Sequence, residues 1–130
     1  MKILVIDDDP AMIELLKLLL RPTQSQILTA DTGSKGVETV RNQKIEVVIL
    51  DLMMPEMDGW QVCEAIRKFS EIPILILSAL DNPGMVAKAL DAGADDYLVK
   101  PVPSSVLIAH INNLIRRANS QAKLLINQQT

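Results

Sequence analysis

Short aliphatic runs alternate along this chain with segments whose apolar positions recur every three or four residues. The runs Lys2–Ile6, Gln26–Thr29, Glu46–Leu50, Ile74–Leu77 and Asp96–Val99 read as strands, rich in Val, Ile and Leu and bounded by turn residues. Helices are expected between and after them, at about Pro10–Leu20, Ser34–Asn42, Trp60–Lys68, Pro83–Asp91 and Ser104–Asn119. Asp9 and Asn82 each precede a proline, an N-cap followed by a residue that needs no N–H partner, and Asp58 or Gly59 caps the third helix. In the last helix Leu107, Ile108, Ile111, Leu114 and Ile115 return at helical spacing, which lays that helix on the sheet. Gly93 stands where a left-handed C-cap is wanted, and Gly59 in the turn after the third strand.

Strict strand–helix alternation with near-continuous apolar strands implies a parallel α/β sheet, because parallel neighbours need crossover connections and both sheet faces are then covered. The unit is (βα)5. Its 130 residues suffice for one domain and one ordinary core. The core is aliphatic, since Trp60, Phe69 and Tyr97 are the only aromatics. The formal charge of −3 argues against broad binding to nucleic acid or an anionic membrane. No apolar run approaches the ~20 residues of a bilayer span, and no charged-then-apolar leader precedes Ile3, so a cytoplasmic chain is expected. A lone Cys63 makes neither an internal disulfide nor a zinc site and reads as a small core residue. After Asn119 the periodicity fades into a Gln/Asn-rich stretch, so residues 1–119 form the expected domain and 120–130 a tail, either a frayed helix or the start of a linker to a further domain.

In open parallel sheets ligands bind beyond the carboxyl ends of the strands, where the winding reverses. Strand one runs into Asp7-Asp8-Asp9, strand three into Asp51, strand four into Ser78, and strand five into Lys100-Pro101. Asp9 is accounted for as a helix cap. Asp7, Asp8 and Asp51 resist joint ionisation unless a cation shares their site. With oxygen donors and no His or Cys nearby, that cation is Mg2+. No GxxxxGK[ST] loop is present to cradle phosphate on backbone amides, and an acidic loop repels phosphate unless metal intervenes. The combination points to phosphoryl transfer with a carboxylate nucleophile, Lys100 supplying charge and Ser78 a hydrogen bond.

The strings ILVIDDDP, VVILDLMMPEMDG, PILILSA and GADDYLVKP resemble the receiver domains of bacterial response regulators, across about Lys2 to Arg117. The resemblance implies a flavodoxin-like, doubly wound sheet of strand order 2-1-3-4-5. It implies that Asp51 receives phosphate from a phosphohistidine of a sensor kinase or phosphotransfer protein. Asp8, Asp51 and the Met53 carbonyl would ligate Mg2+, with Asp7 acting mainly through water. Ser78 and Lys100 would hold the phosphoryl oxygens, and Lys100–Pro101 would be cis. Ser78 and Tyr97 would form the switch, Tyr97 partly exposed or disordered before phosphorylation, and the output would be a reshaped face of helix 4, strand 5 and helix 5. Such a domain is no turnover enzyme: it promotes only its own phosphorylation and dephosphorylation.

GADDY and Arg116-Arg117 look like the subfamily that carries a winged-helix DNA-binding domain and dimerises through that face; nucleic acid would be met only by that further domain. Val106 and His110 stand where that subfamily carries an acid and an Arg, so its interfacial ion pairs cannot all form. Lys88, Asp95, Asp96, Arg116 and Arg117 then either pair across a dimer or stay solvated, and His110 lies on the surface. Met53 and Leu80 are apolar where the family modulates access of water to the phosphoryl group, which leaves its lifetime open. Trp60 reads as helix packing or a partner contact, and Met12, Met54 and Met57 as packing or loop residues. Three rival readings are a phosphohydrolase built on Asp7-x-Asp9, a flavin carrier, and a receiver used for protein contacts alone. The first lacks chain for a substrate cap, the second lacks aromatics to stack a flavin, and the third is weakened by the complete set Asp7, Asp8, Asp51, Ser78 and Lys100.

Overall fold

A computed structural model describes the backbone of residues 1–129 and the side-chain surroundings of residues 1–125. The elements are β1 (Lys2–Ile6), α1 (Pro10–Leu19), a 3-10 turn (Arg21–Thr23), β2 (Gln26–Ala30), α2 (Gly33–Asn42), β3 (Val47–Leu50), α3 (Gly59–Arg67), β4 (Ile74–Ser78), α4 (Pro83–Asp91), β5 (Asp96–Val99) and α5 (Ser104–Gln129). The strands form one parallel sheet in the order β2-β1-β3-β4-β5, with β1 paired on one side to β2 and on the other to β3. The chain therefore reverses its winding beside β1, and the crevice this opens lies at the carboxyl ends of β1 and β3.

Side-chain alternation sorts the central strands between two cores. Leu4, Ile6, Val48, Leu50, Ile74 and Ile76 face α2, α3 and α4 through Val40, Val62, Ile66 and Ala89. Ile3, Val5, Val47, Ile49, Leu75 and Leu77 face α1 and α5 through Leu16, Leu107, Ile111 and Leu114. Each fully buried Leu or Ile contributes about 1.5–3 kcal/mol relative to exposure, so β1, β3 and β4, buried along nearly their whole length, anchor whatever projects from their ends.

The caps act as expected. Asp9 accepts from the Ala11 N–H at 3.0 Å and Asn82 from the Gly84 N–H at 2.8 Å. The cap of α3 is Asp58, which accepts from the Gln61 N–H at 2.9 Å while its own N–H donates to Gln61 Oε1 at 3.1 Å. Thr32 caps α2 and starts it one residue earlier than the periodicity suggests, at Gly33. Gly93 has φ 118°, and Ala94 N–H reaches back to the Ala89 carbonyl to close α4. The larger difference is α5, which continues to Gln129, ten residues past the expected end at Asn119. Ala, Gln, Lys and Leu predominate there, and they favour helix without any apolar stripe to signal it.

Candidate functional site

Three carboxylates converge at the crevice. Asp7 and Asp8 follow β1 and Asp51 follows β3, and each offers one carboxylate oxygen within 4.8 Å of the other two. Asp7 and Asp51 are buried, at 2% and 8% exposure, whereas Asp8 opens to solvent. Asp7 is aimed by its own loop, its Oδ1 accepting from the Asp9 N–H at 3.0 Å. Lys100 reaches in from the end of β5, its Nζ 3.4 Å from Asp7 Oδ2 and 3.9 Å from Asp51 Oδ1. Burial pushes the Asp51 carboxyl above its usual range and Asp7 adds to the push; Lys100 and the backbone N–H groups of Leu52 and Met53 oppose it.

Ser78 closes β4 fully buried, and its Oγ accepts from the Leu80 N–H at 3.3 Å. Half-buried Tyr97, on β5, donates its hydroxyl to the Leu80 carbonyl at 2.6 Å. Sequence reasoning offers no signal for that acceptor, because it is a backbone atom on a loop. Lys100–Pro101 is cis. Met53 is 61% exposed and lines, with Asp8, Leu52, Met54, Pro55, Asp58 and Trp60, an open cleft of about 470 Å3. Gly59 lets α3 start this close to the acceptor strand, since a Cβ there would stand 2.8 Å from the Asp51 carbonyl oxygen and 2.7 Å from Leu52 Cα.

The donor set suits a hard divalent cation. It offers three carboxylates, one of them open to solvent, and Lys100 supplies the buried pair with partial compensation. The same arrangement leaves a cationic group and a hydroxyl-bearing strand end beside a carboxylate at the mouth of an open cleft, which is the equipment for holding a tetrahedral anion against a nucleophile.

The model of the response regulator receiver domain matches residues 3–112. This chain belongs to the receiver family. Transcriptional regulatory protein AfsQ1 of Streptomyces coelicolor is 38% identical to this receiver over 120 residues, 92% of this chain and 53% of the relative. DNA-binding response regulator MtrA of Mycolicibacterium smegmatis is 38% identical over 116 residues, 89% of this chain and 51% of the relative. The chain thus spans about half the length of these relatives. Among solved structures, a two-component response regulator from Clostridium difficile superposes with a TM-score of 0.85 at 30% identity, covering 91% of this chain and 98% of that one. A receiver domain protein from Clostridium thermocellum gives 0.85 at 33% identity, with 92% and 98% covered. The flavodoxin-like α/β fold of the receiver, with its 2-1-3-4-5 strand order, is thereby established.

Two acids that the sequence left solvated or shared with a second chain are engaged within this receiver. Asp95 Oδ2 accepts from Arg67 Nη2 at 2.9 Å and from the Ile74 N–H at 2.8 Å. Asp96 Oδ2 lies 2.5 Å from His110 Nδ1 on α5, so His110 is a partly exposed residue with a fixed partner. Arg67 also donates to the carbonyls of Gly93, Ser70 and Ile72, a role its sequence position at the end of α3 does not announce. Trp60 packs against the core from the first turn of α3, and Lys88 of α4 lies 4.3 Å over its ring. No described helix is long and apolar enough to cross a membrane.

Proposed function

We propose that Asp51 is the phosphoacceptor of this receiver, taking a phosphoryl group from a phosphohistidine on a sensor histidine kinase or phosphotransfer protein. The observation that carries the reading is the gathering of Asp7, Asp8 and Asp51 at the sheet's reversal point with Lys100 against two of them. Asp8, Asp51 and the Met53 carbonyl would hold Mg2+, with Asp7 acting on it mainly through water. When bound, that ion would supply positive charge against the phosphoryl oxygens while the N–P bond to the histidine breaks and the O–P bond to Asp51 forms. Asp51 supplies the attacking oxygen. Lys100 pairs with a phosphoryl oxygen as a point charge, and Ser78 turns its hydroxyl toward another. The added charge then draws on Ser78 and Tyr97, the two residues that share Leu80 as a hydrogen-bond partner.

The output of that change is the face of α4, β5 and α5, which exposes Met85, Leu90, Val99 and Val106. Phosphorylation favours a homodimer through it, one that leans on apolar contact because Asp95 and Asp96 are engaged within the chain. Residues 1–119 make up the receiver domain, with residues 120–130 a tail or the start of a linker to an output domain. The relatives named as transcriptional and DNA-binding regulators support a DNA-binding output for the whole protein, which on this reading is a winged-helix domain and acts in the cytoplasm. The receiver itself catalyses only its own phosphorylation and dephosphorylation.

The test is incubation with Mg2+ and acetyl phosphate or beryllofluoride, read by intact mass and Trp60 fluorescence. A Mg2+-dependent adduct or spectral change is expected in the wild type and none in Asp51→Ala. An unresponsive wild type at saturating donor and metal would leave a receiver used for protein contacts alone.

A further inference from the structure

α4 is lightly held. Seven of its nine residues are exposed and Ala89 alone is buried, whereas α3 beside it buries Gly59, Val62, Cys63 and Ile66. Elements with so little buried apolar contact are the ones that move at low cost. Among the described residues, one electrostatic contact ties α4 along its length to α3: the Lys88 ammonium stands 4.3 Å over the Trp60 ring. The loop that leads into α4 begins at Leu80, the shared hydrogen-bond partner of Ser78 and Tyr97. A change at that pair therefore reaches α4 from one end, while Lys88 holds it from the side.

Trp60 is set between the cleft and that helix. It lines the open cleft with Asp8, Met53 and Asp58, and it packs on the same core as Leu80 and Tyr97. Its backbone is fixed, because the Asp58 capping box and the close approach of Gly59 to Leu52 pin the first turn of α3. Its ring is held differently. Nε1 is buried and has no acceptor within the protein, although a buried indole N–H normally finds one. Packing and the Lys88 charge keep the ring where it is, and its own polar atom does not.

We propose that the Lys88–Trp60 contact is a restraining latch, which keeps α4 against α3 in the unphosphorylated receiver and thereby lowers the affinity of the site for a phosphoryl group. The inference rests on the reading of Asp51 as the acceptor and of α4 as part of the output face. A contact made in the resting arrangement and lost in the switched one weakens every ligand that favours the second. An exposed cation–π contact corresponds to a factor of about two to five in such an equilibrium.

Calorimetric titration with beryllofluoride at saturating Mg2+ tests the latch. Lys88→Met is expected to bind about two- to fivefold more tightly than the wild type. Lys88→Arg should bind as the wild type does, because a guanidinium also stacks on an aromatic face. In a Trp60→Leu background Lys88→Met should change nothing further, since the contact is already gone. Mg2+ alone should bind the wild type and Lys88→Met equally, as Lys88 is remote from the carboxylates that would hold it. A Lys88→Met affinity at or below that of the wild type overturns the latch. So does a gain that Lys88→Arg reproduces, that appears equally with Mg2+ alone, or that persists in Trp60→Leu and so belongs to the charge near the end of α4. A wild type that binds no beryllofluoride overturns the acceptor reading itself, and the latch falls with it.

Discussion

Tyr97 joins the site to its surroundings by a single bond. Burial pushes its phenol above the ordinary range, with the nearby Ser78 hydroxyl opposing and the Asp51 and Asp81 carboxylates adding to the push. Its hydroxyl is committed to Leu80 rather than to water. Tyr97→Phe removes that donor and leaves the carbonyl short of a partner, which should cost about 1 kcal/mol of stability, measured by urea denaturation of the unphosphorylated chain. Cys63 shows the opposite relation between sequence and surroundings, because its burial was legible from the helical apolar pattern alone. Within α3 its thiol is pushed up to about 12, chiefly by burial. Native protein should therefore resist thiol reagents at pH 8 and react fully once denatured. The raised value also sets a sign: the folded state keeps a proton that the unfolded thiol loses above about 9, so this group's share of stability declines as pH rises from 9 toward 12. Tyr97 itself was picked out by the sequence, but its acceptor was not, since any residue's carbonyl could have served.

Secondary-structure elements follow their local signals wherever a cap or an apolar stripe is present. Asp9, Asp58 and Asn82 each mark a helix start, and the side chain does there what its chemistry requires. Element ends tied together by distant groups are a different matter. Arg67 fastens the end of α3 to the approach to β4 and to the α4–β5 turn, through the Ser70, Ile72 and Gly93 carbonyls and the Asp95 carboxylate. Arg67→Ala takes the guanidinium from all four, leaving Asp95 with only the Ile74 N–H, and the loss expected is about 2–4 kcal/mol, readable as a lower denaturation midpoint with little change in Mg2+ response. A lysine there should recover only part, since one ammonium cannot reproduce the guanidinium fork. Nothing in the sequence around Arg67 distinguishes it from the solvated Lys68 beside it. The length of α5 was equally illegible, because residues 119–125 are all exposed and the helix there follows propensity rather than burial.

The whole molecule is two aliphatic cores on either side of one parallel sheet, and its acidic crevice is a cost that a ligand can offset. Mg2+ that binds the folded chain and not the unfolded one should raise the melting temperature, by an amount equivalent to about 2.7 kcal/mol at a hundredfold excess over Kd. Chelation should return it, and Asp8→Ala should abolish the shift while leaving the metal-free midpoint close to that of the wild type, since Asp8 is exposed. A scan in which Asp8→Ala responds like the wild type would place the cation elsewhere. At this scale the sequence by itself determined the strand–helix alternation, and hence a parallel sheet and the edge at which Asp7, Asp8, Asp51, Ser78 and Lys100 would gather, because period and strand-end position are local properties of a chain. The tertiary structure alone decided what each of those groups touches: Lys100 between Asp7 and Asp51, Tyr97 on Leu80, Asp95 on Arg67 and Asp96 on His110. Each of these contacts joins residues at least fourteen positions apart, and their geometry is set by how the sheet and helices pack rather than by any local preference.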